Sequence, residues 1–250
     1  MSPLPAPLET AFLALTNPDC LWQRLRYGLS LRVMTRIRAW RRAGYLNGVT
    51  HLLDAGANEG AFALAWAAVA PSTVSFCFEP VPETFRTLQQ RCRSRPTITA
   101  VPLGLGSSVA KIRMNTGEFH EANSLLPMTE AHLKHWPASA ATKSIEIELT
   151  TLDEFVAKHQ ISGRFFLKAD VQGYEIELLK GASRTLPNIP LIQVEISLVP
   201  LYQGAPDLPE VWKYLDSLGY RFLEVADVLI SPTDRTPVSC DLLFGRVPSS

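Results

Sequence analysis

The chain has 250 residues, 46% of them apolar, which suits one α/β domain with an added segment or two small domains and is enough to bury a core without staples. Lys plus Arg and Asp plus Glu number 24 each, so the formal net charge is zero and no bulk electrostatic pull toward nucleic acid is expected. Cys20, Cys77, Cys92 and Cys240 form no CxxC pair, no apolar stretch is long enough to span a bilayer, and Met1 leads into a proline-rich piece rather than a signal-peptide core; the expectation is a reduced, soluble, cytoplasmic protein without zinc or disulfides.

In chain order, residues 1–10 carry three prolines and read as a loose arm. Residues 19–46 read as helical, with Leu21, Leu25, Leu29, Val33, Ile37 and Trp40 as an approximate apolar stripe that Gly28 could split in two. Seven arginines fall in residues 1–50 against Glu9 and Asp19 alone, so this segment is basic and the rest mildly acidic. From His51 strands and helices alternate. HLLDAG is an apolar run that stops at glycine, as a buried parallel strand does; residues 59–69 are Ala-rich and helical; TVSFCFEP is a second strand ended by Pro80. Pro82 and Glu83 open a helix over 82–93, and ITAVPLG is a third strand.

KIRMNT and SIEIELT alternate in period two, as an antiparallel excursion or edge strands would, and flank the weakly periodic segment 117–143. Thr151-Leu152-Asp153-Glu154 is a capping-box pattern opening a short helix to about His159. RFFLKAD is a fourth strand, Tyr174–Ala182 a helix, PLIQVEIS a fifth strand, DLPEVWKYLDSLG a helix, and YRFLEVAD with VSCDLLFGR a closing hairpin. This alternation predicts a doubly wound, mostly parallel seven-stranded sheet with a terminal antiparallel strand, preceded by N-terminal helices. That is the class I methyltransferase layout, although many α/β enzymes share it.

Ligands of such sheets bind at the carboxyl ends of the strands, where strand order reverses. The first strand delivers Asp54-Ala55-Gly56-Ala57-Asn58-Glu59-Gly60 there. Its Gly-x-x-x-Gly spacing differs from the Gly-x-Gly-x-x-Gly of dinucleotide binders, and Asp54 suits a cation better than a phosphate. Glu79 ends the second strand about twenty residues on, where an acid would accept both ribose hydroxyls. An NAD site would use the same acid, and an ordinary strand-to-helix turn would use the same glycines.

LLDAGANEGAF, FEPVPETF, VPLGLGSS, ANSL, TLDEF, FLKADVQGYEIELLKGA and IQVEIS, in that order across about residues 51–197, resemble the FkbM-type methyltransferases. The resemblance implies S-adenosylmethionine as cofactor, bound by Asp54, Gly56, Asn58, Gly60, Glu79, Leu103, Gly104 and Asp170. It also implies O-methylation of a hydroxyl on a small molecule, a sugar or another secondary metabolite. The chain reads as an N-terminal helical segment, 1–48, and a methyltransferase domain, 49–250; residues 1–50 and 198–250 show little motif-level match. The helical segment reads as a cap over the site, a homodimer contact or a surface for anionic lipid. The family often has an acidic residue where Gln172 stands.

Methyl transfer needs alignment of donor and nucleophile and removal of a proton. Asp170, at the end of the fourth strand, is the first candidate, as general base, substrate anchor or metal ligand; a cap for the helix near Gly173 is the plainer role. Glu195 could share its rim, and the two carboxylates could hold Mg²⁺. Lys168 alternates onto the face of Asp170 and is the third catalytic candidate, or else a buried lysine paired with a carboxylate. His120, His132 and His135 are alternative bases, with Asn123 and Ser124 beside them. Leu103, Gly104 and Leu105 could flank an adenine, although sheet packing explains Leu103 equally well. An NAD-dependent oxidoreductase and a methyltransferase-like binding protein without activity remain the rival readings.

Overall fold

The structure, a computed structural model, describes residues 13, 16–117, 124–136, 142–231 and 233–247. The arm at 1–10, His120 and Asn123 lie outside the described residues. Helices α1 (Pro18–Tyr27) and α2 (Leu31–Arg42) precede the sheet. Gly28, at φ +67°, ends α1 with its N–H on the Arg24 carbonyl, and helical phase restarts after Ser30, whose hydroxyl accepts the Val33 N–H. The restart moves the buried face to Leu31, Met34, Ile37 and Trp40, so Leu25, expected in the stripe, is 77% exposed.

The sheet strands are β1 (His51–Ala55), β2 (Val74–Phe78) and β3 (Ile98–Val101), linked by α3 (Ala61–Val69) and α4 (Pro82–Cys92). After an excursion come β7 (Phe165–Ala169), α7 (Glu175–Lys180), β8 (Leu191–Ser197), α8 (Leu208–Ser217), β9 (Tyr220–Ile230) and β10 (Pro237–Arg246). The excursion contains β4 (Gly104–Leu105), β5 (Ala110–Gly117), α5 (Glu130–His135), β6 (Thr142–Thr150) and α6 (Leu152–Lys158).

Seven strands make one sheet in the order β3-β2-β1-β7-β8-β10-β9, parallel except for β10, which runs antiparallel to both its neighbours. This is the α/β doubly wound, mostly parallel seven-stranded sheet expected from the sequence. The antiparallel strand, last in the chain, lies inside the sheet, and β9 forms the edge. A small second sheet, β4-β6-β5, is built from the excursion, with β5 antiparallel to β6. ITAVPLG is therefore not one strand. Pro102 has no N–H for the ladder, so the chain leaves β3 at Val101 and Gly104–Leu105 joins β6 instead.

Alternation along the strands divides the core between the two faces of the sheet. Leu53, Phe165 and Leu167 pack on the α6–α8 face, while Leu52 and Phe166 pack with Trp66 and with Met34, Ile37 and Trp40 of α2. Trp40 stacks on Phe166 with ring centroids 5.5 Å apart, so α2 is part of the helical layer over the sheet. The four cysteines are buried free thiols. Among the described residues, no helix is long and apolar enough to cross a membrane.

Candidate active site

Winding reverses between β1 and β7, since β2 and β3 extend one way and β8 the other; a crevice opens at their carboxyl ends. The loop 54–60 leaves β1 there. Gly56 has φ +74°, and a Cβ on it would stand 1.8 Å from the Asp170 carbonyl oxygen, so only glycine fits between the loop and β7. Gly60, at φ +80°, is the N-cap of α3, where a Cβ would meet Leu88 at 2.7 Å. Asn58 adopts φ +47° and donates its backbone N–H to Glu79 Oε2 at 3.0 Å, while Glu79 Oε1 accepts the Val81 N–H at 2.9 Å. Glu79 thus buckles the loop to the turn after β2. Burial raises its pKa to about 7, against the pull of those two N–H groups.

Asp54 is fully buried, and neither of its oxygens has a hydrogen-bond partner among the described residues. Desolvation raises its pKa to about 6, opposed by the Lys168 ammonium 3.8 Å away on the adjacent strand. Lys168 and Asp170 do share a face: Nζ donates to Asp170 Oδ2 at 2.8 Å. Burial alone would lower the lysine, but Asp170, Asp54 and Asp241 hold it above its ordinary value, so it stays charged.

Gln172 is the joint of the polar floor. It stands at φ +54°, its Nε2 donates to Asp170 Oδ1 at 2.8 Å and to Glu195 Oε2 at 2.6 Å, and its Oε1 accepts the Tyr202 hydroxyl at 2.6 Å. Burial pushes Asp170 up, but Lys168 and its hydrogen bonds outweigh it and leave the carboxyl below its usual value. Glu195, desolvated and facing Asp170, is pushed well above its usual value and holds the pair's proton. Its Oε1 accepts the Ser239 hydroxyl at 3.0 Å. Asp241 lies opposite Glu195 in the β8–β10 register and is raised to about 6 by burial and by Asp170.

These groups line a cavity of about 550 Å³, with Asn58, Glu79, Gly104 and Leu105 on the loop side and Met114, Ile147 and Leu149 of the small sheet forming an apolar wall. From α5 and the segment after β8, His132, Trp136 and Tyr202 close it over. Asp54 and Gly60 lie behind the wall. Leu103 does not line this cavity; half-buried, it borders a separate groove with Val109, Lys111 and Glu148. The pairing of β4 with β6 turns Gly104 and Leu105 inward instead.

Two further expectations are corrected. Asp170 does not cap α7: the Glu175 carboxylate accepts the Val171 and Gly173 N–H groups, each at 3.1 Å. Asp170 and Glu195 do not fit Mg²⁺. The Lys168 ammonium already sits on Asp170, the Gln172 amide donates to both carboxylates, and Glu195 holds a proton; among the described residues no metal-ligating trio of His, Cys, Asp or Glu forms. Ser124 tethers rather than lines the cavity, donating to the Gln172 carbonyl at 2.7 Å and accepting the Leu126 N–H. Tyr202, Trp136 and Asp241 escaped the sequence reading. Asp241 alone left a signal there, as an acid interrupting the apolar strand VSCDLLFGR.

The Methyltransferase FkbM domain matches residues 54–222. The chain belongs to the FkbM methyltransferase family. Hexuronic acid methyltransferase AglP of Haloferax volcanii is 30% identical over 145 residues, which are 58% of this chain and 55% of that protein, so the match spans little more than half of AglP. 2-O-methyltransferase NoeI of Sinorhizobium fredii is 22% identical over 182 residues, 66% of this chain and 71% of that protein. Among solved structures, magnesium protoporphyrin IX methyltransferase from Synechocystis PCC 6803 superposes with a TM-score of 0.46 at 12% identity, covering 86% of this chain and 78% of that one. Membership of this family sets aside the NAD-dependent oxidoreductase.

Proposed function

We propose that the chain binds S-adenosylmethionine on the 54–60 loop and transfers its methyl group to a hydroxyl of a small molecule or glycan. The observation that carries this reading is the family loop itself, pressed by Gly56 against Asp170 at the strand-order switch and opening on a closed-over cavity. The residues fit the cofactor. Asp54, behind the cavity wall and 3.8 Å from the Lys168 ammonium, adds negative charge beneath the loop, which favours a cation over a phosphate, and Asn58 Oδ1 is buried without a hydrogen-bond partner among the described residues. Each Glu79 oxygen accepts one N–H and keeps a lone pair for a ribose hydroxyl. When bound, the sulfonium supplies a methyl carbon activated for displacement.

The chain aligns the acceptor and keeps water out. Lys168 holds Asp170 ionised and oriented, while Glu195 and Asp241 line the cavity and offer positions for acceptor hydroxyls. Among the described residues lining the cavity, Lys168 is the one cation, and three carboxylates already compete for it. This favours a neutral sugar or alcohol over a uronate as acceptor, even though one relative is named for hexuronic acid.

Calorimetric titration with S-adenosylhomocysteine and with NAD tests the cofactor, and labelled-methyl transfer to neutral hexosides and to hexuronides tests the acceptor. Micromolar binding of the first ligand, no heat with NAD, and transfer to neutral glycosides are expected. NAD binding without S-adenosylhomocysteine binding would overturn the reading. Binding without transfer to any hydroxyl would leave a methyltransferase-like binding protein.

A further inference from the structure

We infer that His132 is the base that takes the proton of the acceptor hydroxyl. This rests on methyl transfer in the cavity just described and adds the group that completes it.

His132 lies on α5, whose first turn is fixed from outside. The Thr129 hydroxyl accepts the His132 N–H at 3.2 Å and donates to the Pro200 carbonyl at 2.5 Å, while the Thr129 N–H donates to the Leu201 carbonyl at 3.0 Å, which ties the helix to the segment after β8. The imidazole is held between the rings of Trp136 and Tyr202, each centroid 5.2 Å away. It lines the cavity with 1% exposure, and neither ring nitrogen has a hydrogen-bond partner among the described residues. A buried imidazole normally has at least one. His135, three residues on along the same helix, shows the ordinary case, with Nδ1 2.9 Å from the Ser231 hydroxyl.

The other titratable groups of the cavity are already engaged, Asp241 among them, whose Oδ2 accepts the Gln193 amide at 2.9 Å; raised to about 6 by burial, it is the rival base. Asp170 has both oxygens engaged and is held low; Glu195 is pushed well above its usual value and accepts from Gln172 and Ser239; Lys168 is charged; the Glu79 oxygens accept the Asn58 and Val81 N–H groups and face the ribose position. Burial, with a smaller push from His135, keeps His132 below its ordinary value and therefore neutral at pH 7. The ionisable groups around it are His135 on its own helix and the Tyr202 phenol facing it, while the Asp170 and Asp241 carboxylates share the cavity and favour the imidazolium once formed.

The step balances. The acceptor O–H breaks and its proton passes to an imidazole nitrogen; the oxygen pair forms the new O–CH₃ bond; the pair of the methyl–sulfur bond stays on sulfur, leaving a neutral thioether. The imidazolium then returns its proton to water.

Imidazole ¹⁵N NMR of the enzyme loaded with S-adenosylhomocysteine is the first test. His132 is expected to be neutral at pH 7 and to titrate below 6.5; a protonated ring at pH 7 would overturn the assignment without any acceptor being needed. In turnover, His132→Ala is expected to lose about 100-fold or more in kcat with S-adenosylhomocysteine affinity unchanged, and free imidazole to restore activity in proportion to its neutral form. His132→Phe keeps the ring stack and is expected to stay inactive. Normal turnover in His132→Phe, or a folded His132→Ala that imidazole does not rescue, would sink the proposal. Loss of S-adenosylhomocysteine binding by the unaltered protein would instead count against the cofactor.

Discussion

At the scale of single residues, Gly56 and Gln172 decide what the site can be. Gly56 lets the loop backbone touch the Asp170 carbonyl, and no side chain can share that space. Gly56→Ala is expected to lose S-adenosylhomocysteine binding and at least about 1–2 kcal/mol of stability, from its positive φ alone. Calorimetry and urea unfolding measure the two, and an alanine variant that binds normally would show that the loop is not the cofactor site. Gln172 works by having two amide hydrogens. With one on Asp170 and one on Glu195, two carboxylates stand side by side, one ionised and one protonated. An acid at this position would have no such pair of donors.

At the scale of elements, local chemistry sets the ends of most helices. Pro82 and Glu83 open α4, the Thr151 hydroxyl accepts the Glu154 N–H at α6, and Asp207 with Glu210 closes a reciprocal capping box at α8. Asp207→Ala is expected to cost about 1 kcal/mol in urea unfolding, with S-adenosylhomocysteine affinity unchanged because α8 lies outside the cavity. No loss of stability would mean that the box is dispensable. Short elements are less legible. β4 has two residues and α5 six, too few to show a hydrophobic period. Both exist through distant partners: β4 through β6, and α5 through Leu201 and Ser231. His132 accordingly stood as one of three loop histidines until the fold placed it.

At the scale of the whole molecule, the buried acids couple stability to pH. Desolvation raises Asp54 and Asp241 to about 6 and Glu79 and Glu175 to about 7, and Glu195 is also raised well above its usual value. Unfolded, such groups titrate near about pH 4. Between those limits the native state binds more protons than the unfolded one, so this stabilisation is complete at low pH and is lost as pH rises through about 6–7. Asp170 and Asp153, both lowered, contribute fully above about pH 4 and add no slope in this window. His51 and His132, lowered by burial, oppose the trend, but they are two groups against five. The melting temperature of the ligand-free protein is therefore expected to be higher at pH 5 than at pH 7.5. The rise should reach about 2–4 °C or more, the shift that 1 kcal/mol produces in a chain of this size. Scanning calorimetry across that range would contradict the account by showing a flat or opposite slope.

The alternation of apolar runs with glycine and proline stops was enough to determine the sheet class, because strand and helix periods and turn chemistry are local properties. The loop Asp54–Gly60, Glu79 and the acid-bearing strand ends were legible for the same reason: each sits at a stop signal. The strand order, the inward turn of Gly104 rather than Leu103, and the meeting of Asp170, Gln172, Glu195 and Asp241 were decided only by tertiary structure. Those residues come from β7, β8 and β10 and the turns between them, and only the register of neighbouring strands brings their side chains onto one face. The same pairing left His132 buried beside them with both nitrogens unpartnered among the described residues, a property of its surroundings that no spacing along the chain encodes.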